Sequence, residues 1–325
     1  MLFFLKIKSE MFEESGKSLA SPSLPAQIFS FLVIFLIIYV LEAIIPSIVS
    51  IEPMMQEMQS QGMLDGTTRI SLKNSMATAT VISASPKIMI PSLLSTVFGT
   101  VTSIVYCRNI EVRPVSSMGV RKRKLIPHYL TGLLTGIAMM SVITMLSVVT
   151  GVNSISVCNN INTGIILLYL LGFFVQGMSE EFIFRGYLMT TIGGHHSAVL
   201  AVGISSGAFA LAHAFNLGFN VPACINLILF GVFAGMYMIC FDDIWGVCGI
   251  HSVWNFMQGN FYGISVSGTG STESVFRTTA ETSHDWLSGG DFGIEGSIFT
   301  TIVLAGGIVL VFLKIRKNQN KKELP

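Results

Sequence analysis

Eight continuous apolar runs constrain this chain more than any other feature of its sequence. Each contains about 20 residues, the length that an α-helix needs to cross the hydrocarbon core of a bilayer. The runs are continuous rather than alternating, so they predict helices and not the strands of a membrane barrel. They cover residues 27–49, 88–107, 129–150, 163–189, 196–216, 221–241, 243–263 and 297–315. We therefore predict an all-α fold, a polytopic membrane helical bundle with about eight transmembrane helices.

Composition and charge agree with this class and exclude others. The chain is 51% hydrophobic and 11% charged, whereas soluble domains carry about 25% charged residues. A net charge of +1 implies no nucleic-acid partner, so the bilayer is the expected environment. The five cysteines show no CxxC pair or zinc-ribbon spacing, which indicates small buried hydrophobic residues rather than a disulfide framework.

The charges between the runs predict the orientation. The 108–124 loop holds six basic residues and the C-terminal tail is also basic, so both should be cytoplasmic. Eight spans then place both termini in the cytoplasm of a multi-pass cell-membrane protein. The predicted division is a cytoplasmic N-terminal lead (1–26), three accessory transmembrane helices (27–150), a four-helix core (163–263), a polar outer loop (264–296) and the last helix with its basic tail (297–325). The 51–79 connection is predicted to be a second outer loop, and Pro46 and Pro91 to end or kink their runs.

One stretch, from Gln176 to Gly186, places three charged residues at the end of an apolar run. A charge in hydrocarbon costs about 2.5–3.5 kcal/mol on insertion scales, so it usually marks a site. On a helix, Glu181 and Arg185 are four residues apart and can pair. Glu180 points about 100° away from Glu181, so it stays outside that pair and is free for chemistry.

Two later runs also carry polar residues. Phe209-Ala-Leu-Ala-His213 lies in the fifth run, and His251-Ser-Val-Trp-Asn255 lies in the seventh. Each feature alone is more often structural, because a membrane histidine commonly bonds a neighbouring helix and a Glu–Arg pair is often a clamp. The three motifs on separate spans, in this order, therefore carry more weight than any one of them.

This ordered set resembles the CPBP family, also called the Abi or type II CAAX prenyl endopeptidase-like family of intramembrane proteases. The resemblance covers the 163–263 core and implies an endopeptidase that acts on a membrane-associated peptide or protein. It implies that Glu180 is the general base for water, that His213 holds or polarises that water, and that His251 and Asn255 stabilise the oxyanion. Around these catalytic residues, Glu181, Arg185 and Phe209 would play supporting roles.

Two alternatives stay open at this point. Glu180, His213 and His251 could instead bind Zn²⁺ with an open fourth position, although we favour a mechanism without metal or other cofactor. The chain could also be a non-enzymatic membrane protein with a bacteriocin-immunity, scaffold or carrier role, whose polar cluster binds a ligand or fixes helices. If it is a protease, we expect cleavage near the cytoplasmic membrane surface.

One depth estimate does not fit the common site. At ~1.5 Å per residue, Glu180 lies about 15 Å and His251 about 12 Å from the inner ends of their runs. His213 comes out at about 25 Å by the same measure. The fifth helix must therefore tilt, dip inward, or begin later than its apolar run.

Overall fold

The structure is a computed structural model, and it describes residues 9–19, 22–60, 82–270 and 272–322, with side chains to residue 319. Every predicted apolar run forms a helix there, which confirms the all-α polytopic bundle. The helices are α1 (Glu10–Ser15), α2 (Leu24–Ser60), α3 (Pro86–Ser95), α4 (Val97–Asn109), α5 (Leu125–Val149), α6 (Thr163–His195), α7 (Ala198–Ala212), α8 (Val221–Phe241), α9 (Trp245–Phe256), α10 (Asp285–Ser288) and α11 (Ile298–Lys322). Helix α9 continues as a π-helix over Met257–Phe261.

Six helices in the described part of the chain are long and apolar enough to cross a membrane, rather than eight. They are α2, the joined α3 and α4, α5 with the turn before it, α6, α8 and α11. The run 196–216 yields only α7, whose 15 residues extend about 22 Å against a hydrocarbon core of about 30 Å. Ala214 and Phe215 lengthen this run, but the chain turns there and passes through Gly218 at φ 74°. Helix α9 is likewise shorter than its run.

Helix α2 extends further than its apolar run predicts. It continues to Ser60, with Pro46 and Pro53 inside it, so the first part of the predicted 51–79 loop is helical. Pro91 lies inside α3, and the helix is interrupted at Thr96, between α3 and α4. A proline removes one backbone donor, yet neither Pro46 nor Pro91 ends its helix. The remainder of the predicted loop, from residue 61, lies outside the described residues.

The basic loop and both described chain ends meet at one end of the bundle. Arg121 bonds Glu14 on α1 at 3.0 Å and Asp242 beyond α8 at 3.3 Å. Partial burial acts to lower the pKa of Arg121, but Glu14 and the other nearby carboxylates outweigh it and raise this pKa. Near the C-terminus, Lys314 places its ammonium 4.1 Å from the centre of the Phe241 ring. This arrangement agrees with termini on one side, while their cytoplasmic location stays a prediction.

The opposite end is covered by the segment from residue 263 to residue 297, which we call the cap. It contains α10 and the strand β2 (Phe276–Ala280), which pairs antiparallel with β1 (Asn153–Val157) after α5. Asn226 of α8 donates to the backbone oxygens of Glu295 and Ser297 at 2.6 and 2.8 Å. The predicted polar outer loop is therefore an ordered layer anchored on the helices, apart from residue 271, which lies outside the described residues.

Helix α6 occupies the centre of the bundle. Its α-helical part, Thr163–Glu181, changes to a π-helix over Phe182–Met189, and all eight residues of that π-helix are buried. A π-helix widens the turn and often occurs at a functional site. The change begins directly after the two adjacent acids, Glu180 and Glu181.

Candidate active site

The two adjacent acids of α6 have different surroundings. Glu181 is fully buried, and its Oε1 lies 3.1 Å from Nη1 of Arg185, which is also fully buried. This is the pair predicted from the four-residue spacing. Glu180 keeps part of its side chain accessible and lines a cavity. The structure therefore separates a buried Glu–Arg pair from a carboxylate that a substrate can reach.

His251 connects these two acids across the α6–α9 interface. Its Nδ1 lies 2.7 Å from Oε1 of Glu181, and its Nε2 lies 3.5 Å from Oε2 of Glu180. A carboxylate only accepts hydrogen bonds, so Nδ1 carries the proton in the first contact. The second distance is longer than a direct hydrogen bond, so Nε2 can also bind an atom placed beside Glu180.

Gln176 is a site residue that the sequence reasoning missed. Its amide nitrogen donates to Oε1 of Glu180 at 2.5 Å, and its amide oxygen accepts from Asn255 at 2.9 Å. Gln176 thus connects the acid of α6 to the amide of α9. It precedes Glu180 by four residues and shares its helix face, a spacing that could have identified it.

The Phe209–His213 motif is explained by the end of α7. His213 follows the last helical residue, and its Nδ1 donates to the carbonyl oxygen of Phe209 at 2.9 Å. Because that carbonyl can only accept, Nδ1 carries a proton, and in the neutral tautomer Nε2 is then the acceptor nitrogen. The Phe209 ring lies 4.5 Å from the guanidinium carbon of Arg185, a cation–π contact that supports the buried pair.

The depth discrepancy of His213 came from the limits of the apolar runs. Helix α6 extends to His195 and α7 begins at Ala198. Glu180 therefore lies fifteen residues before that turn and His213 fifteen residues after the start of α7. The segment of α6 after Glu180 and the segment of α7 before His213 therefore have equal length and run antiparallel from the same turn. This brings Glu180 and His213 to similar depth.

Gly177 permits the close contact between α6 and α9. A Cβ atom at this position would lie 2.5 Å from the backbone nitrogen of Ser252 and 2.9 Å from the carbonyl carbon of His251. Ordinary contacts begin at 3.4 Å. The absence of a side chain at Gly177 therefore allows the acids of α6 to reach His251.

The predicted catalytic residues share the wall of one cavity of about 160 Å³. Glu180, His213, His251 and Asn255 all line it, and so does Gln176. The structure therefore brings together the acid, the two imidazoles and the amide expected from three separate motifs. Their chemical roles stay a prediction.

The cavity has walls that the motifs did not predict. Met89 and Leu93 of α3 form part of it, and Ser267, Thr269 and Glu295 of the cap form another part. The cap lies at the end opposite the basic loop. The cavity therefore extends from the middle of α6 to the cap, and cleavage near the cytoplasmic surface stays a prediction.

The arrangement does not supply a three-ligand metal site. Within the described residues, no three His, Cys, Asp or Glu side chains come close enough together to bind one ion. Glu180, His213 and His251 therefore do not form the cluster that the zinc alternative requires. Whether catalysis uses a metal stays a question for experiment.

Comparison with known proteins supports the family inferred from the motifs. Residues 162–257 match the family described as Rce1-like, type II CAAX prenyl endopeptidase. No curated protein matches the chain. The matched region includes every residue of the three motifs and ends before the cap. This match over residues 162–257 thus supports the resemblance of that segment to the type II CAAX prenyl endopeptidases of the CPBP family, a family of peptidases.

Proposed function

We propose that this protein is an intramembrane endopeptidase in which Glu180 activates a water molecule to hydrolyse a peptide bond. One observation carries the proposal: Glu180 lines a cavity with His213 and Asn255, and its Oε2 lies 3.5 Å from Nε2 of His251. General base catalysis needs such a carboxylate beside the attacking water and hydrogen-bond donors beside the developing oxyanion.

The first step adds water to the substrate carbonyl. Glu180 takes one proton from the water, whose oxygen forms a bond to the carbonyl carbon. The unprotonated Nε2 of His213 accepts the second water proton in a hydrogen bond and so orients the nucleophile. Asn255 and the Nε2–H of His251 donate to the oxyanion.

Buried charge balance supports a protonated His251 in this step. Glu180 and Glu181 contribute two negative charges, and Arg185 contributes one positive charge. An imidazolium at His251 makes these four side chains neutral together, with Nδ1–H directed to Glu181 and Nε2–H directed to the reacting oxygen. A neutral buried cluster costs less desolvation energy than a charged one.

The second step breaks the carbon–nitrogen bond. The oxyanion collapses, the amine leaves, and the proton held by Glu180 moves to that nitrogen. The first products are a carboxylic acid and an amine, Glu180 returns to its ionised starting state, and transfer of the acid proton to the amine gives a carboxylate and an ammonium. The substrate class is a membrane-associated peptide or protein, because the cavity is formed by apolar helices within the predicted bilayer.

Replacement of the base tests the proposal. We expect Glu180→Ala to lower turnover by about 10²–10⁴-fold, the usual contribution of a general base, while insertion and thermal unfolding stay unchanged. The matched control is Glu52→Ala, an exposed carboxylate on α2. Mass spectrometry of membrane peptides should show products in cells with the parent and the control but not with Glu180→Ala. Equal peptide profiles in all three would instead support a carrier, scaffold or immunity role.

A further inference from the structure

The cap contributes an acidic side chain to the same cavity. Glu295 lines this cavity and is only 8% exposed. It lies outside the three motifs and beyond residues 162–257, so neither the motifs nor the family match assigns it a role. A nearly buried carboxylate requires partners for its charge, and the partners of Glu295 are informative.

One oxygen of Glu295 is held by three donors. Oε2 accepts from the backbone nitrogen of Ser267 at 2.7 Å, from the hydroxyl of Ser267 at 2.9 Å and from Gln258 at 3.3 Å. The backbone oxygen of Glu295 is fixed by Asn226 of α8 at 2.6 Å. The side chain is therefore held in place before any ligand binds.

The other oxygen is left for a ligand. The hydrogen bonds of the Glu295 carboxylate within the described residues all go to Oε2. Since Glu295 is nearly buried and lines the cavity, Oε1 is the oxygen left for a ligand there. No lysine or arginine among the described residues lines this cavity, and the imidazolium proposed at His251 lies against Glu181 and Glu180 rather than Glu295.

We propose that Glu295 forms a subsite for a positively charged group of the substrate, either a lysine or arginine side chain or a free N-terminal amine. This inference rests on the proposed peptidase function. It adds a substrate class: apolar, membrane-associated peptides that carry a basic group close to the cleaved bond.

The distance between the subsite and the catalytic residues determines how far the basic group lies from the cleaved bond. Gln258 follows His251 by seven residues on α9, which corresponds to about 10 Å along a helix. An extended peptide advances about 3.3 Å per residue. The basic group therefore lies about three residues from the cleaved bond.

Peptide binding tests the subsite without cleavage. The Glu180→Ala protein in phosphatidylcholine nanodiscs is titrated with fluorescent, N-acetylated leucine–alanine peptides. These carry lysine, acetyl-lysine or glutamate three residues to either side of the centre, and a further peptide has a free N-terminus and no lysine. We expect the lysine or the free-amine peptide to bind about tenfold more tightly than its neutral counterpart, as for a hydrogen bond between charged groups.

The substitution Glu295→Gln isolates the charge. The amide oxygen can still accept from Ser267, while an NH₂ group replaces the free oxygen, so the preference should disappear and neutral peptides should bind as before. The control is Glu281→Gln, an exposed carboxylate of the cap that accepts from Ser154, and it should keep the preference. If Glu295→Gln does not fold, Glu295→Asp serves instead, because the shorter carboxylate should weaken the preference.

The possible results separate the two proposals. A parent protein that binds basic and neutral peptides equally overturns the subsite, and so does a preference that survives Glu295→Gln. Either result leaves Glu180-dependent cleavage intact. If Glu180→Ala leaves the membrane peptides unchanged, the proposed peptidase function is overturned, whatever the binding data show.

Discussion

The close contact at Gly177 yields a prediction whose size follows from the structure. In Gly177→Ala, the new Cβ would lie 2.5 Å from the nitrogen of Ser252, whereas ordinary contacts begin at 3.4 Å. Helices α6 and α9 must therefore separate by about 0.9 Å at this point, and overpacking of this kind costs about 1–3 kcal/mol. The same shift moves Glu180 and Glu181 away from His251. Since a displacement of about 1 Å can cost 10²-fold in rate, we expect turnover to fall by about that factor.

The matched control for this prediction is Gly203→Ala on α7. A Cβ atom at Gly203 would meet no atom within 4 Å, so this variant should keep both its activity and its unfolding temperature. Cleavage by purified protein in nanodiscs and thermal unfolding are measured for both variants. If Gly177→Ala cleaves within threefold of Gly203→Ala, then the contact between α6 and α9 does not position the acids, and our packing argument is wrong.

Three further predictions concern the buried pair, the bridging amide and the metal. Arg185→Met should destabilise the protein by about 3–5 kcal/mol, because it leaves the buried acids of α6 with one cation fewer. The double variant with Glu181→Gln should recover part of this loss in denaturant unfolding, and equal destabilisation by both would contradict the pairing. Gln176→Leu should lower kcat by about tenfold or more, as expected for lost hydrogen bonds to a charged group, with KM and unfolding temperature unchanged; a change in KM alone would assign Gln176 to substrate binding. A zinc chelator should leave cleavage unchanged, and activity lost to the chelator and restored by Zn²⁺ would refute the metal-free mechanism.

Much of the helical layout could be predicted from the sequence because a bilayer imposes length and continuity on each span. The limits of the helices could not. Hydropathy counts Ala214 and Phe215 with the fifth run, although the chain has already turned at His213. Conversely, α6 continues through Thr190 and Thr191, whose hydroxyls bond a buried Arg113–Glu111 pair. Hydropathy averaged over a window of residues cannot distinguish polar side chains that hydrogen-bond to one another from polar residues that end a helix.

Local spacing revealed the Glu181–Arg185 pair and the common face of His251 and Asn255, because both follow from the period of one helix. The contact between His251 and Glu181 joins residues seventy positions apart, and no local period encodes it. The strands β1 and β2 are similarly distant in sequence. In the sequence, Glu295 is only one residue of a polar loop, and the folded cap is needed to show that it lines the cavity.

The proposed catalytic residues and the residues proposed to select the substrate lie in different parts of the chain. The groups proposed to react lie within residues 162–257, whereas Leu93 of α3 and Glu295 of the cap form walls of the same cavity outside that segment. A relative can therefore share the three motifs and still cleave a different substrate. A prenylated C-terminal substrate carries a free carboxylate a few residues from the lipid-bearing cysteine. If Glu295 forms the proposed subsite, that carboxylate would meet the negative charge of Glu295, so the proposal predicts that a basic peptide binds better there than a prenylated C-terminus.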